Sequence, residues 1–266
     1  PAHRGFGRMR PTPPRSSPMP TFVRGLALAA VLLLAASRVQ SADAPRVLRA
    51  VLPSAETSFD PQFASDASSD TVISEVFDAM LEYDYLARPL KLVPRTLEAM
   101  PSSPDGGRTW LCRLKTGIRF TPDPAFGGKP RELVAADYAY TYRRILDPAV
   151  KSPWLWLFEG RIAGSDEARA AAAKSGRFDY DAPMAGLEVV DRYTLRIRLK
   201  APDLRFPYAL AIPNTGAVAR EAVEAYGRDF GAKPVGTGAF RLAEYKRSAR
   251  IVLERNPDYR AETYAP

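Results

Sequence analysis

The chain has 266 residues, 46% of them apolar and 26% charged, a composition that supports a packed core and excludes a disordered tail, a coiled coil or a collagen-like rod. The formal net charge of +8 is concentrated at the front: residues 1–44 carry six Arg and one acid, leaving 32 basic and 29 acidic residues beyond them, a balance that argues against a nucleic-acid surface. His3 is the sole histidine and Cys112 the sole cysteine, so this sequence cannot assemble a His-dependent nucleophile, a His/Cys zinc site, a His-held haem or an intramolecular disulfide.

In chain order, residues 1–18 are rich in Pro and Arg, lack an apolar period and read as an over-called start. Residues 19–44 read as a signal peptide: Arg24 supplies the charge, residues 25–36 (GLALAAVLLLAA) the apolar run, and Ser41, Ala42, Asp43 and Ala44 the small-residue pattern that predicts cleavage after Ala44. The run is shorter than the roughly 20 apolar residues that span a bilayer, and no Cys follows it for a lipid anchor. The expectation is a soluble periplasmic protein of a Gram-negative cell.

Beyond residue 44, strands and helices alternate. Residues 46–52 (RVLRAVL) predict a strand and 54–68 a loop. Val72, Ile73, Val76, Phe77, Met80 and Leu81 carry helical spacing, predicting a helix from Ser69 or Asp70 to Leu81. A turn at 101–107 (PSSPDGG) precedes a strand over 109–115 that contains Cys112. Residues 121–131 predict a loop whose acids do not make a calcium site. Residues 134–146 predict a helix stopped at Asp147-Pro148, and 166–175 a short Ala-rich helix at the surface. Tyr138, Tyr140 and Tyr142 spread over several faces of their helix, with at least one in the core.

Residues 187–200 give the clearest hairpin. Tyr193, Leu195, Ile197 and Leu199 alternate with Thr194, Arg196, Arg198 and Lys200, predicting one buried and one solvated face. A helix over 220–226 ends at Gly227, and strands at 240–245 and 250–254 flank a polar turn.

Phosphate-cradle, nucleophile-elbow and zincin motifs are absent from the sequence. Asp179 and Asp181 could be imagined as the paired carboxylates of a secreted hydrolase, but they sit in a polar loop around Tyr180. A carboxylate-dependent hydrolase stays open as an alternative at this stage, as does a structural or chaperone-like periplasmic protein.

Five segments carry a family resemblance: Ser58-Phe59-Asp60-Pro61 with the following Phe77-Asp78-Ala79-Met80-Leu81, residues 109–120 (TWLCRLKTGIRF), residues 135–148 (AADYAYTYRRILDP), the hairpin at 187–200, and above all residues 233–260 (KPVGTGAFRLAEYKRSARIVLERNPDYR). Their order resembles the family 5 extracellular solute-binding proteins of ABC importers, the oligopeptide, dipeptide and nickel binders. Arg260 stands where that family usually has Trp, in what reads as a surface turn. The long 121–131 loop and the 166–175 insert also depart from the pattern.

The resemblance implies an α/β, type II periplasmic-binding-protein fold. Residues 45–266 would be the first lobe with an extra subdomain, and the second lobe would be missing. It implies a non-enzymatic, monomeric receptor without a cofactor. The receptor would capture a peptide or similar small solute and hand it to an ABC permease in the inner membrane; nickel- or haem-linked uptake is the alternative within the class. Carried over position by position, ligand contacts fall on Ser65, Asp66 and Ala67, on Trp154 after Ser152-Pro153, and on the hinge-side loop Thr237, Gly238, Ala239 and Phe240. For Trp154 and Trp156 the competing reading is core packing, and for Thr237-Gly238 a plain tight turn. The acid that meets a peptide's free amine would lie in the missing lobe.

Overall fold

The computed structural model describes residues 46–260; the expected over-called start, signal peptide and cleavage site lie outside them. The chain divides into a unit ending at Val51 and a unit beginning at Leu52. In the first, residues 46–51 are exposed and form no strand, correcting the strand expected at 46–52. An apolar run becomes a strand only where a ladder partner exists, and among the described residues none pairs with it.

Every named element lies in the second unit. Helix α1 (Ala67–Val76) is followed by a small antiparallel hairpin, β1 (Leu81–Tyr83) with β2 (Leu92–Pro94). A three-stranded antiparallel sheet comes next, built from β3 (Thr109–Arg113), β4 (Leu187–Asp191) and β5 (Thr194–Arg198) in the order β3-β5-β4. Between β3 and β4 run α2 (Ala135–Leu146), a 3-10 turn (Leu155–Leu157) and α3 (Ser165–Ser175). After β5 come α4 (Phe206–Ala209), α5 (Arg220–Tyr226) and a two-stranded ladder, β6 (Phe240–Lys246) with β7 (Arg250–Arg255).

The sheet and α2 make the centre of the core. Trp110, Cys112, Leu195 and Ile197 are buried on one sheet face, and α2 packs on β4 and β5. Tyr138, Tyr140 and Tyr142 are all buried, because α2 is enclosed on several sides and spread faces no longer mean exposed ones. Tyr138 donates its hydroxyl proton to the Asp78 carbonyl at 2.9 Å. Burial pushes the Cys112 thiol up to about 12, so it is an inert core filler. The predicted solvated face of β5 is ion-paired: Arg196 and Arg198 both meet Glu188 of β4.

Two boundaries differ from expectation. Helix α1 starts earlier and stops at Val76, not Leu81. Phe77 is already extended, and the carbonyl of Val76 accepts the Gly238 N–H at 2.9 Å. Phe77, Met80 and Leu81 are buried, so their spacing reported enclosure and not helix. Arg260 is not in a surface turn: its guanidinium meets the buried Asp78 carboxylate at 2.8 Å, with 19% of the side chain exposed.

Candidate functional site

The loop before α1 is held from below by a polar lattice. Arg144, buried in α2, forms a two-pronged ion pair with Asp60 at 2.8 and 3.0 Å and also donates to the Gln62 side-chain oxygen. Gln62 in turn donates to the carbonyl of Asn214. The Asn214 amide donates to Asp70 at 2.9 Å and to the Ala64 carbonyl at 3.3 Å. A charged group this enclosed persists only with its partners in place, so the lattice fixes the course of residues 60–64.

Asp66 then caps α1. Its carboxylate accepts the Ser69 N–H at 2.8 Å and bonds the Thr57 hydroxyl and N–H. Burial pushes this carboxyl up, but the hydrogen bonds from Thr57 and Ser69 outweigh burial and hold it at about 2. Burial has the opposite result at Asp70, whose carboxyl is raised against the pull of the Asn214 amide, with the Asp66 charge adding to the rise.

Trp154 reaches this loop from the segment that follows α2. Its indole N–H donates to the Ala64 carbonyl at 2.8 Å. Ser65 and Ala67 are exposed beside that contact. Among the described residues, the N–H and C=O of Ser65 and the N–H groups of Asp66 and Ala67 take no hydrogen bond. The structure thus gathers Ser65, Asp66, Ala67 and Trp154 into one place, with accessible main chain next to a half-buried indole.

The other four predicted residues lie elsewhere. Thr237 and Gly238 are buried against the opposite end of α1, about 15 Å away at the rise of a ten-residue helix. The Thr237 hydroxyl donates to the Asp78 carboxylate at 3.0 Å. Gly238 donates to Val76, and its carbonyl accepts from Asn256. A Cβ at Gly238 would stand 2.3 Å from the Glu75 carbonyl oxygen, and one at Gly236 2.0 Å from that of Val76, so glycine is required for this close crossing. Ala239 accepts the Asn256 N–H, and Phe240 is half-buried at the start of β6. The buried Asp78 carboxylate ties this crossing together through Arg95, Arg260 and Thr237.

Asp179 and Asp181 do not form a catalytic pair. Asp179 accepts the N–H groups of Asp181 and Ala182, and Asp181 is ion-paired to Arg220. Asn214, Gln62 and Asp70 were missed in the sequence because polar side chains in a turn and a first helical turn look alike whether they face solvent or a lattice.

Residues 91–265 match the family described as bacterial extracellular solute-binding proteins, family 5, middle. The chain is 28% identical over 206 residues to the periplasmic oligopeptide-binding protein OppA of Escherichia coli, covering 76% of this chain and 34% of that protein. It is 29% identical over 213 residues to di/tripeptide-binding protein 4 of Pseudomonas aeruginosa, covering 75% and 36%. Among solved structures, the open, unliganded periplasmic murein tripeptide-binding protein MppA superposes with a TM-score of 0.64 at 25% identity, over 78% of this chain and 37% of that one. Haemophilus influenzae OppA in complex with the peptide RPPGFSPFR superposes at 0.63 with 24% identity, over 77% and 37%. The fold is the α/β, type II periplasmic-binding-protein fold. The chain spans little more than a third of the length of these relatives.

Proposed function

The chain belongs to the bacterial extracellular solute-binding proteins, family 5, and from that premise we propose that it is the peptide-capturing part of an ABC importer's periplasmic receptor. One observation carries the reading. Two segments 90 residues apart in sequence meet through the Trp154–Ala64 hydrogen bond, beside main-chain donors and an acceptor left open at residues 65–67.

An extended peptide presents a regular row of N–H and C=O groups whatever its side chains. A receptor for varied peptides therefore gains affinity from main-chain hydrogen bonds and keeps its side-chain pockets tolerant. In this reading Ser65, Asp66 and Ala67 meet the ligand backbone, and Trp154 offers an apolar wall. The Asp66 carboxylate does not reach the ligand, because it caps α1. Thr237, Gly238, Ala239 and Phe240 act indirectly, by fixing the crossing from β6 to the end of α1 where a hinge would lie. Residues 45–266 would supply one lobe with an extra subdomain. Closure of a second lobe on the ligand would shift the population toward the state a permease accepts. No catalytic step is assigned, and transport energy would come from ATP hydrolysed on other subunits.

The experiment is a calorimetric titration of the complete gene product with tri- to pentapeptides, free amino acids and Ni2+. Saturable peptide binding, with weaker or no response to the other solutes, supports the reading. Binding of Ni2+ or amino acids without peptide binding overturns it.

A further inference from the structure

A second buried carboxylate stands one residue before the partner of the Asp66 cap. Glu56 is 5% exposed. Its Oε1 accepts two hydrogen bonds, from the Tyr245 hydroxyl at 3.0 Å and from the Ser248 N–H at 2.8 Å. Both donors belong to the β6–β7 hairpin, Tyr245 near the end of β6 and Ser248 in the turn. Ser248 has a φ of +56°, a left-handed conformation that a residue with a Cβ adopts at a cost. Burial pushes the Glu56 carboxyl up, but the hydrogen bonds from Ser248 and Tyr245 outweigh it and hold the group below its usual value.

Thr57, the next residue, is bonded to the start of α1. Its N–H donates to the Ser69 hydroxyl oxygen at 3.0 Å and to the Asp66 carboxylate at 3.3 Å, and its hydroxyl donates to the same carboxylate. The Ser58 N–H adds a bond to Ser69, and Ser54 and Ser68 bond each other. Residues 54–58 form no helix or strand; they are a strap bonded along the first turn of α1. Such a segment keeps its course only where its polar groups find partners. At the end of the strap the Phe59 ring meets the Tyr245 ring, with centroids 4.8 Å apart, so strap and hairpin touch through a ring pair and through Glu56.

We infer that Glu56 is a positioning residue for the ligand loop: by anchoring the strap to the β6–β7 hairpin it fixes Thr57, and through Thr57 it fixes Asp66 between Ser65 and Ala67. The inference rests on the peptide-receptor reading and adds to it what holds the site in place before a ligand arrives. A loop whose main chain is already fixed loses less freedom on binding than one the ligand must order. Loss of the anchor therefore weakens binding without removing any group that meets the peptide.

The test is a calorimetric titration of trialanine into the complete gene product as wild type, Glu56→Ala, Glu56→Gln, Tyr245→Phe and Leu195→Ala. Glu56→Ala should weaken binding about three- to tenfold, the scale of leaving one or two groups to be ordered by the ligand. Glu56→Gln should stay close to wild type, because its amide oxygen can accept both bonds. Tyr245→Phe removes one donor and keeps the ring, so its affinity should fall between the two. Leu195→Ala opens a cavity in β5, outside the strap, and should lower stability while leaving the affinity unchanged. Unaltered affinity in Glu56→Ala, or a loss of the same size in Glu56→Gln or Leu195→Ala, overturns the inference. Where Glu56→Ala does not fold, Tyr245→Phe decides, and wild-type affinity in that variant overturns it. Wild type that binds no trialanine overturns the receptor reading and this inference with it, whereas the other failures leave that reading standing.

Discussion

Asp66 shows how one side chain serves structure at the edge of the loop proposed to meet the ligand. It ends the loop and begins the helix by accepting the Ser69 N–H, one of the amides a helix start leaves without a partner. Asp66→Ala should cost about 1 kcal/mol of unfolding free energy at neutral pH, the usual value of such a cap. The folded carboxyl sits at about 2 and the unfolded one at about 3.9. A depressed folded value means that the contribution is fully present above pH 4 and disappears as the pH falls through 2. Urea denaturation of wild type and variant should therefore converge between those pH values; a difference that persists unchanged to pH 2 would contradict the assignment.

At the scale of elements, the crossing of the 236–240 loop over the end of α1 decides where that helix stops. Gly238→Ala would drive a Cβ into backbone that cannot retreat. We expect a loss of about 1–3 kcal/mol, as for other overpacked sites. The Asp78 node beside it binds Arg95, Arg260 and Thr237 around a fully buried carboxylate. Asp78→Ala leaves two guanidinium groups without their shared anion and should cost about 3–5 kcal/mol. Denaturation midpoints within experimental error of wild type for both variants would show that the crossing does not hold the fold together.

These elements also show what a sequence exposes. The β4–β5 hairpin, α3, α5 and the β6–β7 ladder were legible because alternation, caps and glycine stops are local signals. The end of α1 was not, because Phe77, Met80 and Leu81 keep helical spacing while packing as extended chain. The pairing of β3 with β5 joins residues about 85 positions apart, Trp110 opposite Ile197 and Cys112 opposite Leu195, and no local pattern encodes such a partner.

For the whole molecule, the family and its fold were readable from motif order, while the residues proposed from sequence for the candidate site fall at two separate places in the fold. Ser65, Asp66, Ala67 and Trp154 came together, while Thr237 and Gly238 went to the other end of α1. Their glycine-rich motif advertises a close backbone approach without saying what approaches. The lattice of Arg144, Gln62 and Asn214 that holds the loop appears only once three distant segments are packed.

In the proposed receptor, a peptide backbone docks on the open main chain of residues 65–67 beside Trp154. Amide hydrogen exchange of the complete gene product, with and without a saturating tripeptide, tests it most directly. The amides of Ser65, Asp66 and Ala67 should exchange rapidly in the free protein and become protected when peptide binds. Saturating peptide that leaves these three amides exchanging as before, while protecting others, would contradict it.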